Sequence, residues 1–122
     1  PHNYPENCVA YTGTHDNDTV LGWYDTLNGA DKKLCDDYLR LKNADGEPIP
    51  REQLPWEFVR AAMSSVADLA IIPMQDYLGL GSEARINIPS TLGINWMWRM
   101  GNGDFTKELA GRIRSMTKLY GR

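Results

Sequence analysis

Sulfur, histidine and net charge are all scarce in this chain, and each scarcity removes a class of function. Only two cysteines, Cys8 and Cys35, and two histidines, His2 and His15, occur in 122 residues. The cysteines lack the close spacing of a zinc or redox site and are too few for a disulfide scaffold. Cys8 falls in an apolar run and is expected as a small core residue; two unpatterned thiols fit a reducing compartment. The formal net charge of −3 provides no basic footprint, so nucleic acid is not expected as a partner. No apolar run approaches the ~20 residues of a membrane helix, and no charged-then-apolar leader opens the chain, so no membrane partner is expected either. Glycine-rich phosphate cradles and nucleophile elbows are missing, as are repeats and low-complexity tracts.

What remains is an ordinary globular composition, 42% hydrophobic, which argues against disorder. The length allows one small domain or part of a larger one. Pro1 to Asn7 reads as loop, and Cys8 to Thr12 as a short buried strand. Thr19 to Leu27 carries Val20, Leu21, Trp23, Tyr24 and Leu27 on one helical face, with Asn28-Gly29 expected to end it. Asp31 to Lys42 reads as a second helix, with Leu34, Tyr38 and Leu41 as its apolar stripe and its charges on a solvated face. Asp45-Gly46 signals a turn.

Leu54 to Val66 reads as a third helix, with Pro55 in its first turn and Phe58, Val59, Ala62, Met63 and Val66 facing inward. Leu69 to Ile72 reads as a second strand closed by Pro73. The order strand, helices, strand is a βαβ unit, which implies an α/β fold with parallel pairing and a right-handed crossover. Gln75 to Leu78 reads as a short helix or turn, Ser82 to Asn95 as polar loop, and Asp104 to Tyr120 as a final helix with Phe105, Leu109, Ile113, Met116 and Tyr120 facing inward.

The most informative stretch is Tyr11-Thr12-Gly13-Thr14-His15-Asp16-Asn17-Asp18-Thr19, between the first strand and the first helix. Part of it can serve as helix cap, since Asp, Asn and Thr are favoured there, but capping uses one such residue. A polar turn at a strand's carboxyl end is where α/β proteins present groups to a ligand. Asp16-Asn17-Asp18 looks like the start of a calcium loop, yet the glycine and distal glutamate that such loops need are missing, and no metal is expected.

This stretch, with Leu21-Gly22-Trp23-Tyr24 after it, resembles glycoside hydrolase family 77, the 4-α-glucanotransferases also called amylomaltases or disproportionating enzymes. Two further blocks carry the resemblance in the same order: Ile72-Pro73-Met74-Gln75-Asp76-Tyr77-Leu78-Gly79-Leu80-Gly81-Ser82-Glu83-Ala84-Arg85-Ile86-Asn87 and Asn95-Trp96-Met97-Trp98-Arg99. The resemblance implies the C-terminal portion of a (β/α)8 barrel, with Cys8 to Thr12 as strand seven, Leu69 to Ile72 as strand eight and the last helix closing the outside. Such a barrel needs about 250 residues, so the remainder of the same enzyme is expected elsewhere, and residues 1–122 form one segment without an internal domain boundary.

The implied reaction is transfer of part of an α-1,4-glucan to another glucan's 4-hydroxyl by retaining double displacement. Maltooligosaccharides or starch- and glycogen-derived glucans would be the substrates, no cofactor is implied, and the compartment would be cytoplasm or plastid stroma. The nucleophilic Asp and acid/base Glu would lie upstream. Asp16 matches the family's third acid, which hydrogen-bonds the sugar in the −1 subsite and stabilises the transition state. His15 matches the neighbouring histidine, a neutral donor to the same sugar. Arg85 and Asn87 resemble residues near the acceptor side: Asn87 as a glucose contact, Arg85 as a loop anchor pairing with Glu83 or Asp76. Asn17 and Asp18 are expected to support these residues or cap the helix. Trp23, Tyr24, Trp96 and Trp98 are expected as core in preference to sugar platforms. A non-catalytic glucan-binding or structural fragment, or an α-glucan hydrolase, are the competing readings.

Overall fold

The computed structural model describes all 122 residues. Seven regular elements follow in order: β1 (Val9–Tyr11), α1 (Val20–Asp25), α2 (Gly29–Leu39), α3 (Leu54–Met63), β2 (Leu69–Ile71), α4 (Met74–Leu78) and α5 (Lys107–Leu119). The chain is therefore mixed helix and strand, as the βαβ pattern predicts. The strands pair in parallel, in the register Val9 to Leu69, Ala10 to Ala70 and Tyr11 to Ile71.

The pleat decides what the sheet buries. Successive side chains point to opposite faces, and Ala10 turns toward the helices, packing with Ala62 and Ala67. Val9, Tyr11, Leu69 and Ile71 point the other way and are exposed. The expectation of a wholly buried apolar strand thus fails on one face, because nothing in the chain covers it. The main core lies under the helices, where Val20, Leu21, Tyr24, Leu39, Leu41 and Leu54 pack together.

Helix boundaries follow from caps. Thr19 caps α1, its side chain accepting the Gly22 N–H. Contrary to the expectation from sequence, Asn28 does not stop α1; it starts α2, with extended backbone and its side-chain oxygen accepting the Ala30 and Asp31 N–H groups. An αL conformation would have made Asn28 a stop signal; the extended one makes it an N-cap. Of the expected stripe of the second helix, Leu41 is buried, just past the end of α2, but Leu34 and Tyr38 are exposed, and within the helix Leu39 carries the burial.

Before α3, residues Arg51–Gln53 form a 3₁₀ turn. α3 ends at Met63, so Val66 lies outside the helix and is exposed. α5 begins later than Asp104 because Thr106 is its cap, accepting the Leu109 N–H. No residue of α5 is fully buried and Phe105 is exposed, so its inward face is only half covered. Arg112 lies 3.7 Å above the Trp56 ring, a cation–π contact. Arg122 then ties the chain's end to the α3–β2 turn, donating to the carbonyls of Met63, Ala67 and Ser65.

Candidate functional site

Both strands end at the same edge of the sheet, and each releases a polar segment there. Residues 12–19 follow β1; α4 and then residues 82–87 follow β2. The first segment has its own internal scaffold. Asn17 Oδ1 accepts the backbone N–H of Thr14 (2.7 Å) and its hydroxyl (2.8 Å), which folds the chain tightly around Asp16. Asn17 is thus a turn former, and the helix cap falls to Thr19.

The second segment grips the first. Asn87 donates its side-chain N–H to Asp16 Oδ1 at 2.6 Å and its backbone N–H to the His15 carbonyl at 3.1 Å. Arg85 donates Nη2 to the Asp16 carbonyl (2.7 Å) and Nε to the Asn87 carbonyl (2.9 Å). Ser82 donates its hydroxyl to Asp18 Oδ2 at 2.7 Å. Arg85 therefore anchors the loop, but by backbone carbonyls; the expected ion pair with Glu83 or Asp76 does not form. Glu83 instead accepts the Gly81 N–H, and Asp76 is occupied elsewhere.

Four predicted residues, His15, Asp16, Arg85 and Asn87, meet at one point. His15 Nε2 lies 3.3 Å from Asp16 Oδ1. The Asp16 side chain keeps 47% of its surface open to solvent and that of His15 53%, so a ligand can reach both. A carboxylate with one oxygen held by a neutral amide and its surface still open can accept further hydrogen bonds from a polyhydroxylated ligand. Asp18 stands behind, accepting from Thr19 N–H and Ser82. No three His, Cys, Asp or Glu side chains converge on a common point that would hold a metal.

Trp96 corrects the expectation of a core residue. It is 54% exposed, and its ring lies 5.0 Å from that of His15, tilted by 33°. Its backbone sits at φ +65, a left-handed conformation that costs an L-residue about 1–2 kcal/mol. The bond from its N–H to the Ile86 carbonyl (2.7 Å) helps to hold it there. Of the other aromatics, Tyr24 is core; Trp23 is exposed, edge-on to Phe58; Trp98 is half-buried.

Sequence reasoning overlooked Thr12, Ser82 and the true partners of Asp76. Asp76 is 2% exposed and accepts the Thr12 hydroxyl (2.5 Å) and the Val20 N–H (2.9 Å). Burial pushes its carboxyl above the usual range, against the two hydrogen bonds that hold it down. The available signal was positional: a carboxylate and an amide, Gln75-Asp76, just past the second strand at the start of a short, otherwise apolar helix.

A concavity of about 640 Å³ lies between β1 and α1–α3, on the far side of Thr12 from Asp16 and Asn87, neither of which lines it. Trp23, Leu34, Tyr38 and Phe58 line it, and it is an apolar groove with few polar groups. We therefore assign the polar chemistry to the strand ends.

Parallel strands that deliver hydrogen-bonding loops from their carboxyl ends to one point define a segment of an α/β protein with a polar rim. Residues 1–105 match the family model of the glycoside hydrolase family 77 4-alpha-glucanotransferases, and the chain belongs to that family. It is 50% identical to a 4-alpha-glucanotransferase of Clostridium butyricum over 100% of this chain and 24% of that protein. It is 45% identical to the chloroplastic/amyloplastic 4-alpha-glucanotransferase of Arabidopsis thaliana over 100% of this chain and 20% of that one. Among solved structures it matches an amylomaltase from Streptococcus agalactiae in complex with acarbose, with a TM-score of 0.86 and 37% identity, over 100% of this chain and 23% of that chain. The chain thus spans a quarter or less of these relatives.

Proposed function

We propose that these residues form the C-terminal part of a 4-α-glucanotransferase, with β1 and β2 as strands seven and eight of a (β/α)8 barrel and residues 1–122 as one undivided segment of it. The observation that carries this reading is the meeting of Asp16, His15 and Asn87 at the carboxyl ends of two parallel strands, where barrel active sites are built. The uncovered strand face of Val9, Tyr11, Leu69 and Ile71 supports it, since a barrel interior is filled by such side chains.

In this reading the enzyme cleaves an α-1,4 bond of a maltooligosaccharide or a starch- or glycogen-derived glucan. A covalent glycosyl-enzyme intermediate forms with retention, and another glucan's 4-hydroxyl attacks it. The nucleophile and acid/base belong to the remainder of the enzyme. Asp16 accepts hydrogen bonds from hydroxyls of the sugar being distorted toward the oxocarbenium-like transition state. His15 donates to the same sugar, and Asn87 orients Asp16 from the acceptor side. Arg85, Asn17 and Asp18 support these groups. The relatives include a plastid enzyme by name, and we assign the protein to cytoplasm or plastid stroma.

The test is product analysis. The full-length enzyme fed maltotriose should yield glucose together with oligomers longer than the substrate. Glucose and maltose alone would replace the transferase with a hydrolase.

A further inference from the structure

Asp16 and Asn87 come from different strands, so their 2.6 Å contact requires that two loops keep a fixed separation. The short helix α4 lies between the roots of both. Asp76 accepts from Thr12, where β1 ends, and from Val20, where α1 begins. One carboxylate thus closes both ends of the segment that carries His15 and Asp16. Its neighbour Gln75, also buried, donates Nε2 to the Ala84 carbonyl at 3.2 Å, at the root of the second loop.

We propose that Gln75 and Asp76 are a positioning pair: from one turn of α4 they fix the first loop at both ends and the second at its root, and so set how Asp16 is presented. Neither touches the sugar. Both groups are buried, and Asp76 has no cationic partner, only a hydroxyl and a backbone amide. A buried acid satisfied in this way holds geometry by direction, because moving either loop end leaves a buried donor or acceptor unpaired. The proposal rests on the reading of Asp16 as the sugar-binding acid, and its consequence for rate follows from positioning. Misplacing a reacting constellation by about 1 Å can cost on the order of a hundredfold.

The experiment uses the full-length enzyme with Asp76→Ala, Asp76→Asn and, as a control of equal burial outside the clamp, Val59→Ala on α3. Amide hydrogen exchange is followed by peptide, and turnover on maltotriose is measured well below each variant's melting temperature. Asp76→Ala should speed exchange in residues 12–20 about tenfold or more while 54–63 and 107–119 exchange as before. Its kcat should fall roughly ten- to a hundredfold with KM within about threefold. Asp76→Asn keeps an acceptor for Val20 and can donate to the Thr12 oxygen, so it should restore both readouts. Val59→Ala should lower the melting temperature and leave kcat alone. If Asp76→Ala does not fold, Thr12→Val cuts only the strand-end tether and should speed exchange locally in residues 12–16. Unchanged exchange in residues 12–20, acceleration spread evenly over the helices, or an Asp76→Asn enzyme as impaired as the alanine variant would overturn the proposal. The exchange readout does not depend on the reaction, so an unmutated enzyme without transfer would remove the functional reading while the clamp is still decided.

Discussion

Asn87 and Arg85 both reach Asp16, one at its carboxylate and the other at its carbonyl, and this difference sets what each substitution does. Asn87→Ala removes one neutral donor and leaves the carboxylate free to accept from water. Asn87→Asp places a second carboxylate at 2.6 Å from the first, and two such groups cannot both ionise cheaply. The aspartate variant should therefore lose more activity than the alanine one, with its pH–rate profile moved on the acid side; equal losses and unmoved profiles would count against the contact. Asp76 gives a second pH effect. Its carboxyl is raised in the folded state by burial, so its contribution to stability is fully present below the unfolded value of 3.8 and is lost as pH rises through the folded value. Asp76→Asn should remove that loss, and its melting temperature relative to the parent should climb as pH rises above the unfolded value of 3.8. Asp25 has the opposite sign, held low first by the hydrogen bond from Arg51. That pair is exposed and worth little.

At the scale of elements, the site depends on how closely α1 passes the second loop. Gly22 is buried in α1, and a Cβ built there would fall inside contact distance of Ser82 Oγ and Asp18 Oδ1. Gly22→Ala should break the Ser82–Asp18 bond and cost about 1–3 kcal/mol by overpacking, read as a lowered melting temperature; a neutral or stabilising result, as expected for Gly→Ala in an open helix, would show that the loop yields. The helices, the two strands and their parallel pairing were legible in the sequence, because apolar spacing and turn residues act locally. The faces were not. Leu34 and Tyr38 are spaced as a buried stripe, yet they line an open groove; burial depends on neighbours, and spacing does not report them. The convergence of the candidate residues was legible as residue types, since His15, Asp16, Arg85 and Asn87 do meet. Its bonding was not: which oxygen Arg85 reaches, or that Asp76 spans two loop ends, is set by contacts between residues tens of positions apart.

The whole molecule leaves apolar surface uncovered on two sides. Only 18 of 122 residues are buried, and the uncovered strand face and the groove beside β1 both present large side chains to water. Patches of this kind mark contact surfaces, and two-stranded sheets are marginal alone. The isolated 122-residue chain should bind a hydrophobic dye strongly, sediment as associated species and show no transfer. A monodisperse, dye-silent chain would mean that the exposed faces are stable in water, and transfer activity in it would contradict the assignment of the two reacting carboxyls to the rest of the enzyme. Glucan transfer in the proposed enzyme turns on Asp16. The decisive measurement is the turnover of maltotriose by the full-length enzyme with and without Asp16→Asn, alongside both melting temperatures. A loss of roughly a hundredfold or more in kcat at nearly unchanged melting temperature is the predicted result; unchanged turnover would make Asp16 a structural residue of its turn and contradict the account.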